Sequence, residues 1–561
     1  MDAGSVKELA LESNQQVEVP RAPLLWVMIP QMLGYVGGMQ REVDPMWACL
    51  GGVLLLMVMF WRRSKKLGLV KLTGAAAILL LSVGWYEFRE VRGVPPEVLD
   101  LPPRAVDLQV EVEKIFKQSD KFERISAIGF VRKAPVEMEY LQGGRIYFLA
   151  YRKEIEEPLI PGSTLLLKGI VHSIEWEREE ASNFRGFLEK IGIYFVANRA
   201  IVSEIVSPAP AFTSFCYRAN QECQRILRLG RGEESIPANV HIAMMLGNRS
   251  VLNPEQKEVF KYSGTMHLFA ISGLHVGVIA FSLATFLRWL PIPVWLQTVL
   301  GLGVLWFYVQ ITGAQPSAMR AFIMVGVFWA GTLVLRKTSP LSALVASAVL
   351  VLLIDPEELG QLGFQLSYAV VAVILLYGLP IAKAIQDRLS PDLQFIPEES
   401  KTFLQRFFHG VKCSLGGAFG VCFAAMLAST PLIVGYFQTL VLGGVILNVL
   451  IAFIAMVTIV LGGVSLVLGV GQLGWLVSWI NTVSGWLIQG MLKMVEMAVS
   501  VPGYYHHFQL RHDLMAPVGV TCLILWLLAA QQQRKQLGIH FFWIPPLGCA
   551  IYLGLACVPV T

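Results

Sequence analysis

The sequence predicts an α-helical polytopic membrane protein of roughly 11–13 membrane segments, carrying an inserted extracytoplasmic small β-barrel (OB-like) domain. Three observations predict it. Of 561 residues, 55% are hydrophobic and only 15% are charged, where a soluble domain is about a quarter charged. Many apolar runs approach the roughly 20 residues that cross a bilayer as a helix. One long stretch, residues 91–208, instead alternates apolar and polar residues with the period of a strand. The formal net charge of +5 is small for this length and does not by itself argue for nucleic acid.

Residues 1–21 read as a cytoplasmic tail, because the first twenty residues hold three Glu and one Asp against one Lys. No cleavage site of small residues follows, so the first apolar run reads as a retained anchor. Three apolar runs, near Ala22–Gly38, Met46–Trp61 and Gly68–Tyr86, make residues 22–87 a set of three transmembrane helices. Arg62, Arg63, Lys65 and Lys66 sit between the second and third runs and mark the cytoplasmic side. The third run then leads outward, so residues 88–208 are expected outside.

That outer stretch holds five or six alternating segments, with turn signals at Gly143-Gly144 and Pro161-Gly162. Such a pattern suits a small OB-like barrel. From Leu101 to Ala200, fifteen Lys/Arg face fifteen Asp/Glu, so the domain lacks the basic excess of a strong single-strand binder. Tyr140, Tyr147, Phe148 and Tyr151 are candidate base platforms, although barrel-core and strand-face positions are the favoured reading.

Residues 209–237 mix Phe215, Ile226, Leu227 and Leu229 with Arg218, Arg225, Arg228 and Arg231. This composition predicts an amphipathic interfacial helix and linker touching membrane lipid. A DNA-facing basic surface is the alternative. Residues 238–561 form the helical membrane core. The eight cysteines are scattered without a CxxC pair, and Cys216 and Cys223 lie too far apart on a helix for a disulfide.

The core's polar residues are the candidates for function, since polar groups in an apolar helix are costly unless satisfied. The stretch "HLFAISGLHVG" holds His267, Ser272 and His275, with Gly273 and Gly277 at the spacing of a helix-packing seam. The two histidines, eight residues apart, do not have the i,i+4 spacing of a zinc helix, so no metal is expected. Ser272 and His275 can touch at i,i+3, but a hydrolase also needs an orienting acid. The nearest downstream carboxylates, Asp355, Glu357 and Glu358, cluster at a helix end. Pro316 breaks the next apolar stretch, Ser317 is its candidate N-cap, and Arg320 either snorkels or lines an aqueous path. Gln365, Ser367 and Asn448 are further polar points. Pro431, after Ser429 and Thr430, is expected to shape helix packing. Lys493 and Glu496 read as a pair.

The ordered segments "MMLGNRSVL", "FKYSGTMHLFAISGLHVGVIA", "GAQPSAMRAFIM", "IDPEELGQLGFQLSYAVV", "STPLIVGYF" and "ILNVLIAF" run from Met244 to Phe453. In these, and in "NFRGFLEKIGI" at Asn183–Ile193, the chain resembles the ComEC family of competence DNA-uptake channel proteins. The resemblance implies an inner-membrane channel component that passes single-stranded DNA into the cytoplasm during natural transformation, without cofactor or covalent chemistry. His267, Ser272, His275, Ser317, Arg320, Gln365, Ser367 and Asn448 become lining candidates, with Arg320 attracting phosphate. It also implies a separate cytoplasmic ATPase motor and DNA receptor, and it leaves room for a homo-oligomer. Longer family members carry a C-terminal metallo-β-lactamase-like domain whose HxHxDH motif is not in this sequence, so a nuclease role is not carried over and a separate nuclease is a possible partner. Two other classes stand beside this reading: a transporter for a small molecule or envelope precursor, and an intramembrane hydrolase using Ser272 and His275.

Overall fold

Period-two segments close into a barrel, and apolar runs form helices. In the computed structural model, the described residues are 24–40, 44–61, 67–89, 98, 101–119, 124–152, 159–174, 188, 191–232, 235–269, 271–334, 339–389, 402–441, 443–512, 514–538 and 540–559. The tail 1–21, the basic cluster 62–66 and most of the 183–193 segment lie outside them. The chain divides into two units: residues 1–89, 226–309 and 314–561, and residues 90–225 with 310–313.

The smaller unit holds β1 (Arg104–Ser119), β2 (Arg124–Lys133), β3 (Arg145–Arg152), β4 (Thr164–Ser173) and β5 (Phe195–Ser207). They close in the order β1-β2-β3-β5-β4, with β3 parallel to β5 and the other pairs antiparallel. This small closed barrel is the architecture expected from the alternation. One side-chain set points inward: Val110, Ala127, Ile146, Phe148, Leu165, Ala197 and Val202 are almost fully buried. A second apolar cluster joins Ile128, Tyr147 and Val196 with Ile174, Leu188 and Ile193. Two of the candidate platforms are therefore packing residues: Phe148 fills the barrel and Tyr147 is covered. Tyr140 packs on Phe195, with ring centroids 5.7 Å apart. Tyr151 is the exposed one, 41% accessible, with Arg124 over its ring.

Helix α4 (Ala211–Arg228) follows the barrel and is amphipathic as expected: Cys216, Ile226 and Leu227 are buried, Arg218 and Arg225 exposed. Arg225 pairs with Glu222 one turn earlier at 2.6 Å, a surface contact of small energetic weight. The hydrogen bond from Arg225 holds the Glu222 carboxyl below the usual carboxylate range. All eight cysteines are free thiols.

The larger unit begins with α1 (Leu25–Gln40), α2 (Pro45–Trp61) and α3 (Leu67–Arg89). After α4 come α5 (Ile236–Leu246), α6 (Pro254–Tyr262), α7 (Gly273–Leu287), α8 (Val294–Ile311), α9 (Pro316–Val334) and α10 (Pro340–Ile354). Then follow α11 (Leu362–Val373), α12 (Leu379–Leu389), α13 (Phe403–Phe437), β6 (Thr439–Val441), α14 (Gly444–Val470), α15 (Gly474–Val499), β7 (Tyr505–Leu510), α16 (Met515–Gln532), α17 (His540–Ala556) and β8 (Cys557–Pro559). Among the described residues five helices are long and apolar enough to cross a membrane: Val294–Ile311, Pro316–Val334, Leu362–Arg388, His409–Phe437 and Gly444–Val470. Six shorter apolar helices accompany them.

Two joints show how the helices are fixed. A helix C-terminus leaves carbonyls without partners. At the end of α10, Tyr35 donates to the Leu352 carbonyl at 3.0 Å, Trp85 to Leu353 at 3.0 Å, and Arg89 to Ile354. The N-terminal helices α1 and α3 thereby supply the missing donors. The second joint is the π-turn Ile374–Gly378 linking α11 and α12. Pro380 has no N–H for the Leu376 carbonyl, and Gln531 donates to that carbonyl instead at 2.6 Å.

Close helix approach occurs, but at glycines other than the expected pair. A Cβ on Gly420 would sit 2.7 Å from the Gly378 carbonyl oxygen, so α13 and the π-turn meet backbone to backbone. Among the described residues an added Cβ at Gly273 or Gly277 would meet nothing within 4 Å. The helix-packing role expected of that pair is thus corrected: the face of α7 that packs carries His275, Val276 and Ala280, all buried, and the glycines look onto open space. Helix α13 continues through Pro431, where Thr430 and Ser429 hydroxyls donate back to the Met426 carbonyl at 2.7 and 3.3 Å. Lys493 and Glu496 are both exposed on α15, and no ion pair joins them.

Candidate functional site: a junction of broken helices

The stretch "HLFAISGLHVG" is not one helix. Met266–Phe269 is a single 3₁₀ turn, and α7 begins only at Gly273 with Ser272 as its N-cap. Ser272 and His275 form a capping box in which histidine takes the place usually held by Glu or Gln. The Ser272 backbone N–H donates to His275 Nδ1 at 3.3 Å, and the Ser272 hydroxyl lies 2.9 Å from the same nitrogen. An Nδ1 that accepts leaves the proton of a neutral ring on Nε2. His275 is fully buried, and its Nε2 has no hydrogen-bond partner among the described residues.

Two other chain breaks meet this one. Ser317, in the first turn of α9, donates to the Ile271 carbonyl at 2.7 Å. Arg249 Nε donates to the Phe269 carbonyl at 3.2 Å, and Gln315 Nε2 to Gly247 at 3.2 Å. Tyr308 donates to the Met245 carbonyl at 2.8 Å. Gly247 ends α5 at φ 68°, and a Cβ there would strike Gln315 and Ile271. Side chains thus satisfy carbonyls that three interrupted helices leave open. In a membrane, such backbone survives only inside protein or beside water, and discontinuous helices of this kind build transporter binding sites. His267 is exposed, its Nδ1 3.0 Å from the Gly264 carbonyl oxygen.

One turn along α9, Arg320 is buried and paired with Glu358 at 2.9 Å. Its Nη2 is 3.4 Å from the Ser367 hydroxyl. This corrects two expectations. Arg320 does not snorkel, and its charge is not free for phosphate while Glu358 neutralises it. Glu358, one of the carboxylates clustered at a helix end, sits on the 3₁₀ turn Pro356–Gly360; its pairing with Arg320 is not visible in the sequence. Burial pushes its carboxyl above the usual range even beside Arg320. Gln365 donates to the Leu359 carbonyl at 3.1 Å and so steadies the same turn. Asn448, on α14, stands apart, its Oδ1 without a partner among the described residues.

Arg231 is also corrected. It is not an interfacial cation: its Nη2 lies 2.9 Å from His241 Nδ1 and donates to the Leu227 carbonyl, with Nε and Nη1 buried. The short linker between α4 and α5 turns it inward toward α15, where it neighbours Gly485. His241 is fully buried and faces Gly462 of α14. Nothing in its local pattern distinguishes it from a core position. Arg218, Arg225 and Arg228 stay on α4.

Among the described residues no group of three or more His, Cys, Asp or Glu could hold a metal ion. Among the described residues no acid contacts the Ser272–His275 pair, whose hydroxyl and Nδ1 are engaged in capping.

The family model described as "Competence protein" matches residues 244–534. Three curated proteins are similar over parts of their length. ComE operon protein 3 of Bacillus subtilis is 32% identical over 250 residues, covering 43% of this chain and 29% of that protein. YcaI of Escherichia coli, an uncharacterized protein, is 29% identical over 145 residues, covering 25% and 19%. The uncharacterized MG316 of Mycoplasma genitalium is 29% identical over 161 residues, covering 28% and 41%. The aligned parts thus span less than half the length of each of these relatives. No solved structure matches.

Proposed function

This chain belongs to the competence protein family, and from that premise we propose that it is a channel component for single-stranded DNA in the bacterial inner membrane. The observation that carries the proposal is the junction at Ile271, Gly247 and Ser317. Interrupted helices meet there, their carbonyls are satisfied by side chains, and at the α7 N-terminus an added Cβ on Gly273 would meet nothing within 4 Å among the described residues. A helix N-terminus favours negative charge. A phosphodiester backbone offers acceptors of the right kind and asks for no acid–base chemistry. The relative from Bacillus subtilis is, by its name, a product of the ComE operon.

In this reading Ser272 borders the passage, the buried His275 shapes it by capping α7, and Ser317 holds its wall. Arg320, Glu358, Ser367 and Gln365 brace α9 against α11. The barrel guides DNA on the outer side, with Tyr151 and Arg124 as contacts. A partner ATPase supplies the work and a separate receptor delivers the strand. A deletion strain of a transformable host tests it. Labelled single strands should fail to reach the cytoplasm and return on complementation. Uptake that is unchanged by the deletion would sink the proposal.

A further inference from the structure

Strands β6, β7 and β8 form a small sheet, with β7 central. Register pairs Val441 with Tyr505 and Thr439 with His507. Side chains two apart on a strand share a face, so Tyr505 and His507 point together. Tyr262, the last residue of α6, stacks on Tyr505 with ring centroids 4.7 Å apart and planes at 17°. His507 meets both rings edge-on, at 5.9 Å from Tyr262 and 5.7 Å from Tyr505. Lys261 holds its ammonium 5.7 Å from the Tyr262 ring. Lys261, His506, His507, Arg511 and His512 are exposed, and Tyr262 and Tyr505 half-buried.

Two features tie this cluster to the candidate junction. Tyr504 donates its hydroxyl to the Ser263 carbonyl at 3.2 Å. A Cβ on Gly264 would lie 3.5 Å from Val441, and the Gly264 carbonyl is the partner of His267. The sheet therefore rests on the turn that leads into the stretch "HLFAISGLHVG". Open sheet edges do not face lipid hydrocarbon, so this surface belongs to water. Stacked aromatic rings with flanking cations are the elements that hold single-stranded nucleic acid without reading its sequence.

We propose that Tyr262, Tyr505 and His507, with Lys261, form a stacking platform that holds bases of single-stranded DNA beside the broken-helix junction. The proposal rests on the single-strand channel reading and adds a second contact surface to it, distinct from the barrel. Bases stack on the accessible ring faces, and Lys261 and Arg511 meet the phosphates. The competing occupant is lipid, since aromatic residues also gather at membrane interfaces.

The test uses the full chain in lipid nanodiscs and a fluorescent oligo(dT), with affinity read by anisotropy. Tyr262→Ala and Tyr505→Ala should each weaken binding by about 5- to 100-fold, and the ring-retaining Tyr262→Phe and Tyr505→Phe should stay near the parent. The exposed His507→Ala should weaken binding while the Tyr262–Tyr505 stack stays in place, which keeps the test open if an Ala variant at tyrosine fails to fold. Lys261→Gln should lower the salt dependence of binding. If the parent binds and the Ala variants bind equally well, the platform is refuted and the channel reading stands. A parent that binds no oligonucleotide even at low salt contradicts both. Ala variants with unchanged DNA affinity but weaker nanodisc incorporation would assign the rings to lipid and overturn the platform.

Discussion

His275 carries the sharpest separation of roles. Its Nδ1 side caps α7 through Ser272, and its Nε2 side faces no partner. Gln at the same place can still accept the Ser272 N–H, as Gln does in an ordinary capping box. His275→Gln should therefore accumulate to normal level and fold, yet lower DNA uptake, measured as labelled strand reaching the cytoplasm. Ser272→Ala should instead cost about 1 kcal/mol of stability, seen as a lower unfolding midpoint in detergent. Arg320 and Glu358 form a buried pair, and removing one partner of such a pair costs about 3–5 kcal/mol. Arg320→Met or Glu358→Leu alone should depress the protein level, and the double variant should restore much of it. Restored level without restored uptake would give the pair a role in passage. The candidate residues were legible as polar points in apolar runs, and their partners were not. Glu358 lies thirty-eight residues from Arg320, and His241 has no polar neighbour in sequence to mark it. Arg231 was misread because an amphipathic pattern does not reveal where its last turn ends.

Elements follow the same division. The strand periodicity of β1–β5 is visible because one face fills the barrel and the other does not. The break inside "HLFAISGLHVG" was hidden, because Gly273 and Gly277 at helical spacing also fit a packing seam. The fold puts the close approaches at Gly378 and Gly420 instead, whose contact depends on the π-turn. That turn yields a cycle. Gln531→Leu leaves the Leu376 carbonyl without a donor and should destabilise by about 1 kcal/mol or more. Pro380→Ala restores an N–H to the helix, so Gln531→Leu should cost less in that background. Thermal unfolding of the four proteins measures the coupling. The same logic applies to α10, whose terminal carbonyls need Tyr35, Trp85 and Arg89. Tyr35→Phe should loosen the N-terminal helices, detected as faster proteolysis between α1 and α3.

Across the whole molecule, a barrel with its own buried core is joined to a helical unit whose chain breaks converge near Ile271. In the channel reading proposed above, the open side of α7 faces the route taken by DNA. Gly273 and Gly277 permit a direct test, since an added Cβ meets nothing there. With the eight native cysteines replaced, Gly277→Cys should support uptake until a bulky thiol reagent is attached. The account predicts that complete modification then stops labelled single strands from reaching the cytoplasm. Complete modification with undiminished uptake would contradict it.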